Sequence, residues 1–125
     1  MRANNTKIFL EMIELFRSLD IKSSMSYYSE DAIYRYGGLP YVVGKQAIEE
    51  LANSSHLDFI AQLDFKVLQT WENENTVVAQ MELLHILKDG RELTLPCMDV
   101  VTFDENGKVK EFLVYIDSSP LFEKH

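Results

Sequence analysis

From Thr76 to Asp117 hydrophobic and polar residues alternate with the period of a β-strand, interrupted by two Gly-containing pairs. The runs Thr76–Leu87, Arg91–Phe103 and Lys108–Asp117 are rich in Val, Leu, Ile and Thr, and predict three antiparallel strands. Asp89-Gly90 and Asn106-Gly107 suit two-residue type I′ turns, in which both central positions need φ > 0. If Lys88 pairs with Arg91, Gln80 stands opposite Asp99 and Glu82 opposite Cys97. If Glu105 pairs with Lys108, Asp99 also faces Val114, with Phe112 and Ile116 on the diagonals.

Strand parity sorts these residues into faces. Leu93, Leu95, Cys97, Asp99, Val101 and Phe103 point one way; Glu92, Thr94, Pro96, Met98, Val100 and Thr102 point the other. The first set is apolar except for Asp99. An ionised carboxylate there loses several kcal/mol of hydration unless it is paired, protonated or open to a wet cavity. Asp99 is therefore either a functional acid or a structural carboxylate bonded to the backbone or to Gln80. On the opposite face Val77, Ala79, Met81, Leu83 and His85, beside Met98 and Val100, are too apolar for water alone. A sheet-to-sheet homodimer is the expected cover.

The preceding half of the chain has helical periodicity. Asn4 to Ser18 predicts an amphipathic helix capped by Asn5 or Thr6, with Ile8, Phe9, Met12, Ile13 and Phe16 as its stripe. Asp20 reads as the N-cap of a shorter helix from Ile21 to Tyr28. Ser29-Glu30-Asp31 breaks the pattern before a short strand at Ala32–Tyr36, and Gly37–Pro40 forms a turn, leaving Tyr41–Gly44 as loop. A third helix runs from Gly44 or Lys45 to Asn53, with Ala47, Ile48 and Leu51 inward. After a connector at Ser54–Asp58, the segment from Phe59 to Trp71 predicts a long strand, with Phe59, Ala61, Leu63, Phe65 and Val67 on one side. Ser118-Ser119-Pro120 ends regular structure, and Leu121-Phe122 can fold back as a lid or edge cover. This order predicts an α+β fold, with helices over the concave face of a curved antiparallel sheet.

Composition narrows the classes of function. The length of 125 residues suits one domain spanning 1–125. A formal charge of −8 with no basic patch argues against nucleic acid. No apolar run is long enough to span a bilayer and no signal peptide is evident, so a cytoplasmic protein that avoids membranes is expected. Cys97 is the single cysteine, and His56, His85 and His125 are dispersed. No metal site, glycine-rich phosphate loop or cofactor motif follows from these residues.

Several segments carry a family resemblance. Tyr28–Tyr34, Gly44–Ile48, Met98–Val109 and Tyr115-Ile116-Asp117 resemble the nuclear-transport-factor-2-like superfamily, and within it the SnoaL-like branch, which is similar to ketosteroid isomerases. The resemblance spans nearly the whole chain. It implies a cone-shaped fold with a deep pocket between the helices and the concave face, usually in a homodimer. It also implies that Asp99 falls at the oxyanion-hole aspartate of ketosteroid isomerases and Tyr28 at a tyrosine supporting that hole. Met12 stands where that family has its donor phenol, and Tyr36 where it has the proton-abstracting aspartate. Steroid isomerisation by the usual route is not implied. The Arg-x-Asp pair and last-strand aspartate of limonene-epoxide hydrolases read here as Gln80-x-Glu82 and Val114, so that triad is not present.

The expected site joins Asp99 as acid or hydrogen-bond donor, Glu82 as base and Tyr36 as the group that positions a ligand. Met12, Tyr28, Gln80, Cys97, Val114 and Ile116 are the expected lining. Two carboxyls in an apolar cavity raise each other's pKa, so one can be protonated while the other is ionised. Such a pair moves a proton at a carbon next to a carbonyl. A one-residue bulge would instead turn Glu82 to solvent, and Met81 and Leu83 could then be the buried set. The expected partner is a small apolar carbonyl compound, bound for cofactor-free isomerase- or cyclase-like chemistry. The alternatives are a ligand-binding protein without turnover and a dimerisation module of the same fold.

Overall fold

The computed structural model describes residues 4–18, 20–53, 60–117 and 119–122. Helix α1 (Asn5–Arg17) starts where the Oδ1 of Asn4 accepts the Lys7 N–H at 3.0 Å. The cap thus lies just before the two residues expected, and Asn5 itself is buried. Phe9, Met12 and Ile13 form the buried stripe, with Ile8 packed beside them. Helix α2 (Ile21–Met25) is capped by Asp20, which accepts the Ser23 N–H. It ends before Tyr28 because the N–H groups of Ser26 and Tyr27 close onto Ser23 and Ser24 in a tight i,i+3 turn.

Strand β1 (Tyr28–Tyr36) absorbs the expected break at Ser29–Asp31, with an irregular register between Tyr28 and Ile33. A two-residue strand, β2 (Val42–Val43), replaces the loop expected there and pairs with Ile33 and Tyr34. Helix α3 (Lys45–Ala52) buries Ile48, while Ala47 and Leu51 are only partly covered. The connector Ser54–Asp58 and Phe59 lie outside the described residues. Strands β3 (Ile60–Asn73), β4 (Thr76–Leu87), β5 (Glu92–Phe103) and β6 (Val109–Ile116) follow, then a 3₁₀ turn at Ser119–Phe122. On β3, Leu63, Phe65 and Val67 are partly buried but Ala61 is exposed, because the register shifts between Ile60 and Gln62 and again between Val67 and Gln69.

The six strands form one open sheet in the order β2-β1-β6-β5-β4-β3. It is mixed rather than wholly antiparallel: β1 runs parallel to β6, a pairing possible because α3 and four strands intervene between them in sequence. The fold class is α+β, with the helices on one face. Phe9, Met12, Met25 and Ile48 from the helices pack with Met81, Val101, Phe103 and Phe112 of the sheet in one buried cluster.

The β4–β5 turn sets which side chains join that cluster. Leu87 N–H donates to Arg91 O at 2.8 Å and Gly90 N–H to Leu87 O at 2.9 Å. The loop is therefore three residues long, Lys88-Asp89-Gly90, with only Gly90 left-handed at φ +94°. Asp89 keeps negative φ and uses its carboxylate to accept the Arg91 N–H at 3.0 Å. The whole pairing slips by one residue from the expected register: Ala79 opposes Asp99, Met81 opposes Cys97, Gln80 opposes Met98 and Glu82 opposes Pro96. Val77, Ala79, Met81, Leu83 and His85 consequently point into the core and are all buried. They are not the outer face that the sequence suggested for a partner. Val78, Met98, Val100 and Leu113 occupy that face, with Tyr115 and Trp71 exposed beside them.

The β5–β6 turn also has three residues, Glu105-Asn106-Gly107, closed by Asp104 N–H to Lys108 O at 2.7 Å. Here a bulge restores the expected pairing. Phe103 opposes Val109 but Thr102 opposes Glu111, so Lys110 is the extra residue and Asp99 meets Val114 after all.

A Cβ on Gly90 meets nothing within 4 Å, so substitution there is penalised by backbone conformation alone. Gly90→Ala is expected to lower stability by about 1 kcal/mol. Urea unfolding reads this directly, and a midpoint equal to wild type would remove the left-handed turn as the reason for the register.

Candidate functional site

Asp99 sits in the middle of β5 on the face covered by helices, with 3% of its surface exposed. Its cross-strand neighbours are Ala79 on β4 and Val114 on β6, a methyl and an isopropyl group that offer no hydrogen bond. Cys97, two residues earlier on the same face, donates its thiol proton to Asp99 Oδ1 at 3.3 Å. Burial raises the Asp99 pKa to about 7, with the thiol hydrogen bond pulling weakly the other way. No cation among the described residues offsets the desolvation. Near neutral pH both protonation states are populated.

Strand β1 brings three phenols to this acid. Tyr36 opposes Val114, so Tyr36, Val114, Asp99 and Ala79 form one row across four strands. Tyr34 opposes Phe112 in the next row, with the ring centroids 5.8 Å apart. Tyr28 stacks on the same Phe112 ring at 6.3 Å, and Phe9 of α1 tilts against it at 6.3 Å. Phe112 thereby fixes two of the phenols and ties them to the first helix. Burial raises the pKa of Tyr28, Tyr34 and Tyr36, and the Asp99 charge adds to each; Tyr36 is pushed up to about 12. Tyr34 is half-buried as a residue, yet its hydroxyl feels Tyr28, Asp99, Tyr36 and Cys97 together. All three therefore remain protonated at neutral pH and can donate hydrogen bonds. The Cys97 thiol is raised as well, by burial first and then by Asp99. It is a donor here and a poor nucleophile.

Of the residues expected in the site, Met12, Tyr28, Cys97 and Val114 share one buried cluster, Tyr36 and Ile116 pack against it, and Asp99 is buried beside Cys97. Gln80 and Glu82 do not join them. The one-residue slip puts both on the outer face, Glu82 between Lys66 and Pro96. The two-carboxyl arrangement is thus replaced by one carboxyl, and Glu82 has no geometry for the role of base. Tyr34 was missed, although Tyr34 and Tyr36 share strand parity and could have been paired on that ground. Among the described residues no three His, Cys, Asp or Glu side chains converge as metal ligands, and no helix is long and apolar enough to cross a membrane.

The profile of the SnoaL-like domain family matches residues 9–112. The chain belongs to this family. Known structures of low sequence identity share the fold of this SnoaL-like domain. A nuclear-transport-factor-2-like protein of unknown function from Burkholderia pseudomallei superposes with a TM-score of 0.84 at 19% identity, over 97% of this chain and 96% of the other. A candidate SnoaL-like polyketide cyclase from Shewanella denitrificans gives 0.82 at 15% identity, over 97% and 96%. An LEH-like epoxide hydrolase from M. tuberculosis gives 0.78 at 13% identity, over 94% and 86%. No curated protein matches in sequence.

The raised Asp99 pKa fixes the sign of a pH dependence. Folded Asp99 keeps its proton to about pH 7, whereas the unfolded chain releases it near pH 4, so this residue stabilises the fold in acid and the effect is lost as pH rises through the folded value. His85, which burial pushes below its usual pKa, acts in the opposite direction below about pH 6.5, so the comparison must be a difference between proteins. Asp99→Asn should gain on wild type by roughly a few kcal/mol between about pH 5 and pH 8, read from urea unfolding curves. A difference that stays constant across that range would rule out a buried acid of raised pKa.

Proposed function

We propose that this SnoaL-like domain binds a small, largely apolar carbonyl compound beside Asp99 and moves a proton on it without a cofactor, as in isomerase- or cyclase-like chemistry. The observation that carries the reading is the buried Asp99 carboxyl, hydrogen-bonded to the Cys97 thiol and raised towards neutrality by burial, beside three phenols that stay protonated. The ionised form of Asp99 is the base that takes a proton from the carbon next to the carbonyl. A phenol donates to the carbonyl oxygen as its negative charge develops. Asp99, now neutral, returns the proton to a different carbon or to the oxygen. One acid acts in both directions because its proton affinity lies near the working pH. The family and the polyketide-cyclase and epoxide-hydrolase neighbours are in keeping with such chemistry.

Exchange of carbon-bound hydrogen for deuterium tests this without knowledge of the natural substrate. With β-tetralone in D₂O, the wild-type protein should accelerate α-hydrogen exchange over buffer, and Asp99→Asn should lose about a hundredfold of that rate. Binding without turnover is the second reading, supported by the same buried polar cluster. It predicts no exchange above buffer, and ketone affinity that weakens as wild-type Asp99 ionises but is independent of pH in Asp99→Asn. A ketone that neither binds nor exchanges counts against both.

On the same reading the domain pairs with a second copy through the outer face of the sheet. Leu113, Val100, Val78 and Trp71 form an unbroken cross-strand row there, with Tyr115 beside Met98 in the next. Tyr115 and Trp71 are 58% and 45% exposed, large areas to leave in water. Light scattering should give twice the mass of the chain, falling to one chain in Val100→Glu. A monomeric wild-type protein would end this assignment.

A further inference from the structure

We propose that Cys97 is a positioning residue for Asp99: its thiol proton occupies Oδ1, so that Oδ2 is the oxygen that gains and loses the working proton. The inference rests on the reading of Asp99 as the acid of the site and specifies how that acid is held. Cys97 and Asp99 project from the same face of a central strand two residues apart, each 3% exposed, with Sγ 3.3 Å from Oδ1. Across the sheet Cys97 meets Met81 and Ile116, two hydrocarbon-rich side chains, and its thiol is turned to Asp99. Asp99 in turn faces Ala79 and Val114, which cannot hold a carboxyl in one rotamer by hydrogen bonding. The thiol is the anchor that remains.

A thiol suits this position because it is a weak donor. A hydroxyl in its place would stabilise the carboxylate more and return the acid towards its ordinary range. A hydrocarbon would leave both oxygens unanchored and the anion less stable. The order of acidity is therefore Cys97→Ser strongest, wild type intermediate and Cys97→Ala weakest. No bond other than to hydrogen forms or breaks: Oδ2 takes the proton from carbon and hands it back, while the thiol proton stays on sulfur.

The test uses the full chain labelled with ¹³C at aspartate carboxyl carbons, with the Asp99 signal assigned by its loss in Asp99→Asn. The titration midpoint of Asp99 should fall in Cys97→Ser and rise in Cys97→Ala, each by about 0.5 to 1 pH unit. In wild type the infrared S–H stretch should move with the same midpoint as the carboxyl, a signature that a packing role does not produce. A folded Cys97→Ala protein with an unchanged Asp99 midpoint overturns the proposal. So does an S–H band blind to that titration, which decides the matter even if the alanine variant does not fold. Neither measurement contains a ketone, so this inference can fail while the proton-transfer reading stands, and the reverse.

Discussion

Two antiparallel strands can pair in either of two parities, and the choice decides every side chain that reaches the core. In this protein three residues make that choice for β4. Because Gly90 takes the left-handed conformation and Asp89 does not, Leu87 pairs with Arg91 and the odd-numbered residues of β4 turn towards the helices. The surroundings of Asp99 follow from it. The other parity would set an amide opposite the carboxyl and a second carboxylate two pairs further on. The observed one supplies Ala79 and Met81, so the desolvation of Asp99 outweighs its thiol hydrogen bond and its proton affinity climbs to neutrality.

The β5 face was legible from sequence because alternation along one strand needs no knowledge of its partners. Leu93 to Phe103 read correctly, and so did the inward acid among them. Register between strands was harder, since an Asp-Gly pair fits both a two-residue loop and the end of a three-residue one. The same ambiguity arose at Asn106-Gly107, but Lys110 bulges out of β6 and the two one-residue displacements cancel. The residues of β4 contained a corrective signal. Val77, Ala79, Met81, Leu83 and His85 are more apolar than Val78, Gln80, Glu82, Leu84 and Ile86, which favours the face they occupy. Burial acts over the whole strand, whereas turn preference is a local term, and here burial agrees with the structure. The parallel pairing of β1 with β6 had no local signature, because its contacts join residues more than seventy positions apart.

A site with one carboxyl differs in kind from the two-acid site that the sequence suggested. A coupled pair divides labour because repulsion splits its two proton affinities. A lone acid must reach an intermediate affinity through its surroundings, and here these are hydrocarbon on two sides and one weak thiol donor. On the proposed reading the phenols, which keep their protons, donate to the carbonyl oxygen as its charge develops, since a hydroxyl rotates freely about its C–O bond. The proposed transfer to carbon and back then needs no movement of the backbone. The strongly negative net charge of −8 is in keeping with the proposed ligand, since it disfavours a second anion and favours a molecule that arrives neutral.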